Sequence, residues 1–123
     1  MNDRLFHPEH TWAKFEDDEV LVGITNFAQE QLGEVAYVDL PAVGDIIEAG
    51  ESFGGIESIK AVSELIAPLN GTVIGINEEL DDSPALVNSE PYKKGWMLRL
   101  KVADMSKKEE LLSEEAYLAT LGG

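Results

Sequence analysis

The apolar residues of this chain fall into short runs, and turn-forming residues separate one run from the next. Val20–Ile24 is one such run, and the pair Asn70-Gly71 is a turn signal that follows another. Short runs punctuated by Gly, Pro and Asn are typical of β-strands. Aromatic residues make up 7% of the 123 residues and 11 are glycine, which favours a turn-rich β fold over a helical bundle. We therefore expect a mainly β protein in which residues 1–123 form one domain.

The first forty residues predict two strands, a short helix and a third strand. A strand, an acidic turn and a second strand are expected over Trp12–Gly23. Thr25 is placed to cap a helix over Asn26–Leu32, and Gly33 follows where that helix would end. Alternation over Glu34–Leu40 predicts a further strand, whose odd-numbered and even-numbered residues face opposite sides.

The rest of the chain predicts more short strands and a terminal helix. Strands are expected at residues 46–48, 72–76 and 96–102, and an acidic loop or helical turn at residues 78–82. Ser106 precedes Glu109 by three residues, which is a capping box. An amphipathic helix is expected after it, with an apolar face formed by Leu111, Leu112, Ala116, Leu118 and Ala119.

Two stretches of the chain are weakly similar at an offset of 38 residues. Residues 33–38 (GEVAYV) resemble residues 71–76 (GTVIGI), and the turns at 44–45 and 49–51 align with residues 82–83 and 87–89. Each half therefore reads as strand, acidic turn, short strand, turn and strand. We expect the two halves to close into a flattened antiparallel barrel or sandwich, joined by the hairpin that contains Lys60.

Lys60 lies between the predicted strands at residues 52–57 and 63–69, so it is expected at the tip of a hairpin. Gly54-Gly55 precedes the tip, where a missing side chain permits close strand packing or a bulge. Lys60 is also the only cation between residues 15 and 92, a span rich in carboxylates. Two interpretations are open: a surface lysine that relieves acidic repulsion, or the anchor of a prosthetic arm, which needs an exposed tip on a rigid base.

Charge and composition exclude several classes of function. With 24 acidic and 9 basic residues the formal net charge is -15, so binding to nucleic acid or to an anionic membrane is not expected. Cysteine is absent, which excludes disulfides and thiolate chemistry. No signal peptide or membrane span is evident in the sequence, which predicts a cytoplasmic protein, or a mitochondrial one if a transit peptide was removed from a longer precursor.

Catalytic and metal-binding patterns are weak in this sequence. His7, Glu9 and His10 are too few ligands to predict a metal site. The serines and histidines compose no convincing arrangement of nucleophile, base and acid. We therefore expect no catalytic residues and no metal.

The segment around Lys60 resembles the lipoyl-attachment motif of the glycine cleavage system H protein family. The resemblance rests on residues 57–61 (ESIKA), 63–64 (SE) and 67–71 (APLNG). Further segments follow in family order and cover nearly the whole chain: residues 10–12 (HTW), 22–25 (VGIT), 38–41 (VDLP), 84–88 (PALVN) and 95–96 (GW).

The resemblance implies a fold, a cofactor and a set of partners. The fold would be a lipoyl-domain-like hybrid barrel-sandwich of antiparallel strands, with a short helix in the N-terminal half and a C-terminal helix. Lys60 would carry covalently bound lipoic acid on a non-catalytic carrier. That carrier would shuttle the aminomethyl intermediate of glycine decarboxylation from the glycine decarboxylase (P protein) to the aminomethyltransferase (T protein). Dihydrolipoamide dehydrogenase (L protein) would reoxidise the arm, and a lipoate-attaching enzyme would load it.

The resemblance also implies a cleft that shelters the loaded arm beside an early His-Glu-Trp segment. Here Thr11 stands where the family usually has Glu, while Glu9 lies two residues earlier. Glu64 occupies the position downstream of the lysine that is often Asp. We therefore expect Glu9, His10 and Glu64 to line the cleft, and Glu57 to help the attaching enzyme recognise the lysine.

Two other assignments stay open at this point. The Thr11 departure also fits an H-like paralogue that relays or stores lipoyl groups, or that serves another lipoate-dependent redox pathway. A biotinyl carrier uses the same kind of hairpin but typically places Met beside its lysine, where this chain has Ile59 and Ala61.

Overall fold

The computed structural model describes residues 4–7, 9–16, 19–102 and 111–121. Short strands dominate these ranges, and four short helices interrupt them. In chain order the elements are β1 (Arg4–His7), β2 (Thr11–Glu16), β3 (Glu19–Ile24), α1 (Asn26–Leu32), β4 (Val35–Asp39), β5 (Ile46–Ile47), β6 (Ser52–Ser58), β7 (Val62–Ile66), β8 (Gly71–Ile76), α2 (Glu79–Asp82), α3 (Leu86–Ser89), β9 (Leu98–Lys101) and α4 (Glu114–Leu121).

The strands form two sheets, and every pairing within them is antiparallel. The larger sheet has the order β1-β2-β3-β9-β8-β5, and the smaller has the order β4-β6-β7. This arrangement confirms the expected mainly β fold with antiparallel strands, a short helix in the N-terminal half and a helix near the C-terminus. The strands are arranged as two sheets and not as one closed barrel.

Apolar side chains from both sheets form the core. Val22 and Leu100 of the larger sheet are fully buried, as are Ile56 and Leu65 of the smaller one. Alternation places such residues on one face of each strand, so both sheets have an apolar face to bury against each other. The smaller sheet, which contains Lys60 at one end, is thereby fixed on a packed base.

Helix α1 begins and ends where the sequence predicted. The Thr25 hydroxyl accepts a hydrogen bond from the Ala28 N–H at 3.2 Å, which satisfies one of the free donors of the first turn. Gly33 ends the helix with φ 78°, a left-handed conformation that glycine adopts without the steric penalty of a side chain. The helix therefore delivers the chain to β4 in a fixed direction.

Strand β4 departs from the predicted alternation. Its pairing with β6 shifts register between Val35 and Tyr37, so Ala36 and Tyr37 are both exposed while Val35 and Val38 are buried. A bulge places two residues opposite one on the partner strand, and alternation then fails across it. The prediction of two regular faces for Glu34–Leu40 was wrong for this reason.

The predicted repeat holds only in part. Residues 71–76 form β8 as expected, but the aligned turns of the second half fall at the end of α2 and inside α3. The short strand expected there is replaced by helical turns. The two halves are nevertheless joined within one sheet, because β5 of the first half pairs with β8 of the second.

Both ends of the described chain differ from the sequence prediction. Residues 4–7 had no predicted element but form β1, which pairs with β2 and buries Phe6. The C-terminal helix α4 is anchored by Tyr117, which is 1% exposed, while Leu118 of the predicted apolar face is 53% exposed. The prediction of that face was therefore wrong. The capping box at Ser106 and Glu109 lies outside the described residues.

Candidate functional site

A tight turn between β6 and β7 carries Lys60 at its tip, as the sequence predicted. The Ser58 N–H donates to the Ala61 carbonyl at 2.8 Å, and the Ser58 hydroxyl accepts from the backbone N–H groups of Lys60 and Ala61 at 3.3 and 3.0 Å. One serine side chain thus satisfies the inner face of the turn. Lys60 itself is exposed.

The turn is supported from below by the end of α1. The Ile59 N–H donates to the Glu34 carbonyl at 3.1 Å, which ties the tip to the segment before β4. A Cβ atom built on Gly33 would lie 3.1 Å from the Lys60 Cε atom, so the lysine side chain lies against the backbone of that glycine. The backbone of Lys60 is therefore held by its neighbours and does not belong to a loose loop.

Asn88 of α3 fixes that supporting surface. Its amide oxygen accepts from the Val35 N–H at 2.8 Å, and its amide nitrogen donates to the Gly33 carbonyl at 2.8 Å and to the Gln29 Oε1 atom at 2.9 Å. These bonds join α3 to α1 and β4, which lie 53 to 59 residues earlier in the chain. Apart from the family-like order of residues 84–88, no pattern in the sequence indicates this role for Asn88.

Close packing of β6 against β4 confirms, for Gly54, the prediction that a missing side chain permits close strand packing or a bulge. A Cβ atom on Gly54 would overlap the backbone carbonyl of Asp39, and the pairing of β6 with β7 shifts register between Ser52 and Gly54. The missing side chain therefore permits both the close approach and the irregular pairing. Gly55 has no such restriction, since the nearest atom to its Cβ position is a backbone carbonyl at 3.6 Å.

The outer face of the smaller sheet carries exposed apolar residues beside a carboxylate. Tyr37, Glu57 and Val62 are cross-strand partners in one row, and all three are exposed. Ile59 and Val62 flank Lys60 and are 74% and 76% exposed. Large apolar side chains at this exposure are typical of surfaces that contact other macromolecules.

A cleft of about 210 Å³ lies beside the hairpin, between β7, α1 and the turn before β2. Its polar lining includes Glu9, His10 and Glu64, so the structure brings together the three residues that the sequence analysis selected. Glu57 does not line it. The apolar part of the lining comes from both sheets and from α1: Ile24, Phe27, Leu32, Ile56 and Leu65. Glu64 is only four residues beyond Lys60, so cleft and lysine are neighbours on one hairpin.

Thr11 has a structural role. The residue is 1% exposed, and its hydroxyl donates to the Ile66 carbonyl at 2.9 Å. That bond joins the start of β2 to the end of β7, one from each sheet. The carboxylates of the cleft therefore come from Glu9 and Glu64 and not from position 11.

His10 has an unusual setting on the cleft wall. Its backbone φ is 74°, and its Nδ1 atom lies 2.7 Å from the Tyr117 hydroxyl. The Tyr117 hydroxyl in turn lies 2.7 Å from the Thr25 hydroxyl. Tyr117 was not among the predicted site residues. It also lies outside the apolar face that was predicted for the C-terminal helix.

Burial shifts the titration of the groups around His10. Desolvation lowers the pKa of His10 below 6.5, although the nearby Glu9 carboxylate raises it. Desolvation also lowers the pKa of His7, whose Nδ1 accepts a hydrogen bond from the Glu9 N–H at 3.0 Å. Burial raises the pKa of Tyr117 above 10.0, opposed by its hydrogen bond with Thr25. Burial therefore favours the neutral form of both imidazoles.

Metal-ligating side chains do not gather in groups of three or more within the described ranges. In the same ranges, no helix has the length and apolar character that a membrane crossing requires.

Comparison with known proteins matches these features to one family. A family model for the glycine cleavage H-protein matches residues 4–122. The glycine cleavage system H proteins of Halalkalibacterium halodurans and Bacillus pumilus are each 51% identical to this chain, over 116 and 115 residues, with 94% of this chain and 91% of each relative covered. The chain belongs to the glycine cleavage H-protein family.

The fold comparison agrees with the family assignment. The crystal structure of a glycine cleavage system H protein from Mycobacterium marinum superimposes with a TM-score of 0.91 and 36% identity, covering 100% of this chain and 99% of that one. The glycine cleavage H-protein family supplies the lipoyl carrier of the glycine cleavage system, a component of a multi-enzyme system. An exposed lysine on a rigid turn, next to a partly apolar cleft, fits that cofactor.

Proposed function

We propose that Lys60 is the residue that carries lipoic acid, and that residues 1–123 act as one non-catalytic carrier domain. The observation that carries this proposal is the position of Lys60: exposed at the tip of a turn that Ser58 closes and that the Gly33 backbone supports. An arm anchored on such a base can reach outward while its origin stays fixed. The lipoyl group supplies the sulfur chemistry, and the protein supplies position and shelter.

The cleft beside the hairpin is the proposed resting place of the loaded arm. Its lining is partly apolar, and an arm that displaces water from it strengthens the electrostatic interactions inside it. Glu9, from the turn before β2, and Glu64, from β7, offer carboxylates to an amine-bearing cargo. The lowered pKa of His10 favours its neutral form, which does not compete with a cationic cargo for those carboxylates.

The outer face of the smaller sheet is the proposed contact surface for the enzymes that act on Lys60. Its exposed apolar side chains, Ile59, Val62 and Tyr37, surround a lysine in a strongly acidic chain. Partners of complementary chemistry therefore present an apolar patch with basic side chains at its edge. We assign Glu57, which lies between Tyr37 and Val62, to recognition by the lipoate-attaching enzyme. The decarboxylase, the aminomethyltransferase and the dihydrolipoamide dehydrogenase are the further partners of this surface.

Intact-mass measurement with peptide mapping tests the attachment site. The chain is incubated with lipoate, ATP and a lipoate-attaching enzyme, and we expect a single lipoyl increment on the peptide that contains Lys60. Lys60→Arg keeps the charge but removes the amine, so it abolishes the increment. Lys93→Arg is the matched control, because Lys93 is also an exposed lysine in a turn and is expected to leave lipoylation unchanged.

Reconstitution with the three partner enzymes then tests the pathway. The lipoylated chain is expected to support glycine-dependent release of carbon dioxide and ammonia, and the Lys60→Arg variant is expected to support neither. Lipoylation without any glycine-dependent turnover would assign the chain to lipoyl relay or storage instead. An increment on a lysine other than Lys60 would refute the proposed site.

A further inference from the structure

Tyr117 of α4 contacts two polar groups at once, and one of them, His10, lines the cleft. Its hydroxyl lies 2.7 Å from the His10 Nδ1 atom and 2.7 Å from the Thr25 hydroxyl. Tyr117 and Thr25 are 1% and 0% exposed. Buried hydroxyl groups satisfy their hydrogen bonds within the protein, so the direction of each proton in this chain of three groups is constrained.

The direction is set at Thr25. Its hydroxyl oxygen accepts the N-cap hydrogen bond from the Ala28 N–H at 3.2 Å, and its single proton, buried with it, still needs an acceptor. Among the residues that the structure describes, the acceptor within reach of that proton is the Tyr117 hydroxyl oxygen. Thr25 therefore donates to Tyr117, and Tyr117 donates its own proton to His10 Nδ1.

A histidine whose Nδ1 accepts a hydrogen bond carries its proton on Nε2. From this proton order we infer that Tyr117 is a positioning residue that holds His10 as the neutral Nε2–H tautomer on the wall of the cleft. Protonation of His10 would reverse the Tyr117 hydrogen bond and leave the Thr25 proton without an acceptor among the described residues. The lowered pKa of His10 agrees with this arrangement.

The backbone and the ring of His10 are also held in place by neighbouring residues. A φ of 74° lies in the left-handed region, which a side chain makes unfavourable, and such conformations persist where the surroundings hold them. The Thr25 N–H donates to the His10 carbonyl at 3.1 Å, and Phe27 packs on the imidazole with ring centroids 4.8 Å apart. Both the main chain and the ring of His10 are therefore fixed by α1 and its cap together with Tyr117.

The consequence for the cleft rests on the proposed function. The charged and titratable groups near His10 are Glu9, Glu64, His7 and Tyr117. An imidazolium at position 10 would pair with a cleft carboxylate and repel a cationic amine cargo. With Tyr117 donating to its Nδ1 atom, His10 stays neutral and carries its only ring N–H on Nε2, so no imidazolium competes for the carboxylates.

Nitrogen NMR of the unlipoylated protein tests the inference without any partner enzyme. Long-range ¹H–¹⁵N correlation distinguishes a protonated ring nitrogen from an unprotonated one, and the chain has two histidines. We expect His10 at pH 7.5 to show an unprotonated Nδ1 and a protonated Nε2. In Tyr117→Phe the ratio of the Nε2–H to the Nδ1–H form is expected to fall roughly fivefold, since one hydrogen bond to Nδ1 is lost.

His7 serves as the control in the same spectrum. Its Nδ1 accepts from the Glu9 N–H, and the Tyr117 hydroxyl bonds to His10 and Thr25 instead, so the His7 signals should not change in the Tyr117→Phe variant. A predominantly Nδ1–H tautomer of His10 in the wild type would overturn the inference, even if Tyr117→Phe failed to fold. An unchanged His10 tautomer in a folded variant would also overturn it. Lys60→Arg should give the wild-type spectrum, so failure of lipoylation and failure of this inference are separate results.

Discussion

Asn88→Ala gives the sharpest test of how the base of the lysine turn is built. The change removes the hydrogen bonds of Asn88 with Val35, Gly33 and Gln29. Of the groups left behind, the Val35 N–H belongs to a residue that is only 3% exposed, and an unsatisfied buried donor costs about 1–3 kcal/mol. The exposed part of the Gln29 side chain can turn to water, so its loss contributes little.

Adding about 1 kcal/mol for the Gly33 carbonyl gives an expected loss of roughly 2–4 kcal/mol. That is a large share of the stability of a small domain, which is typically about 5–15 kcal/mol. Urea unfolding followed by tryptophan fluorescence measures it, since Trp12 is buried in the native state. The midpoint should fall while the slope m stays unchanged.

Asn26→Ala is the matched control for this experiment. Asn26 also makes side-chain hydrogen bonds, to Gln29 and Glu30, but it lies on the exposed face of α1. We expect it to change stability by less than about 0.5 kcal/mol. Equal losses in the two variants, or a loss below about 1 kcal/mol in Asn88→Ala, would refute the role assigned to Asn88.

Two further predictions concern packing and pH. Gly54→Ala should destabilise the fold by about 1–3 kcal/mol because the added Cβ atom would overlap the Asp39 carbonyl. Gly55→Ala is the control and should be neutral or slightly stabilising, since the nearest atom to its Cβ position is 3.6 Å away. Equal urea midpoints for the two variants would contradict this prediction. The lowered pKa values of His7 and His10 mean that the unfolded chain binds more protons below pH 6.5, so the free energy of unfolding should fall as the pH drops from about 7 to 5. His7→Gln should make that decrease smaller, and an unchanged slope would show that His7 does not contribute.

The structural features that the sequence predicted correctly are those that local contacts determine. The bounds of α1 follow from Thr25 and Gly33, which directly adjoin the helix. The Lys60 turn likewise depends on Ser58 and Ala61, three residues apart. In both cases the residue types that satisfy the backbone stand next to the backbone they satisfy, so a short window of sequence contains the whole signal.

The missed features depend on contacts between distant residues. Asn88 binds the Val35 N–H across 53 positions, and Tyr117 binds His10 across 107. Periodicity also failed where a local irregularity or a polar anchor intervened. The bulge in β4 exposed Tyr37, and a hydrogen-bonded tyrosine replaced leucines as the anchor of α4. No pattern within one segment could reveal these features.

The separation of 107 residues between His10 and Tyr117 also orders events during synthesis. The turn that presents Lys60 depends on residues 58–61 and on the Glu34 carbonyl, all of which precede Tyr117 in the chain and are therefore synthesised before it. The His10 wall of the cleft must wait for α4, because its tyrosine emerges among the last residues described. A chain interrupted before Tyr117 therefore contains every residue of the lysine turn but lacks the tyrosine that binds His10 on the cleft wall.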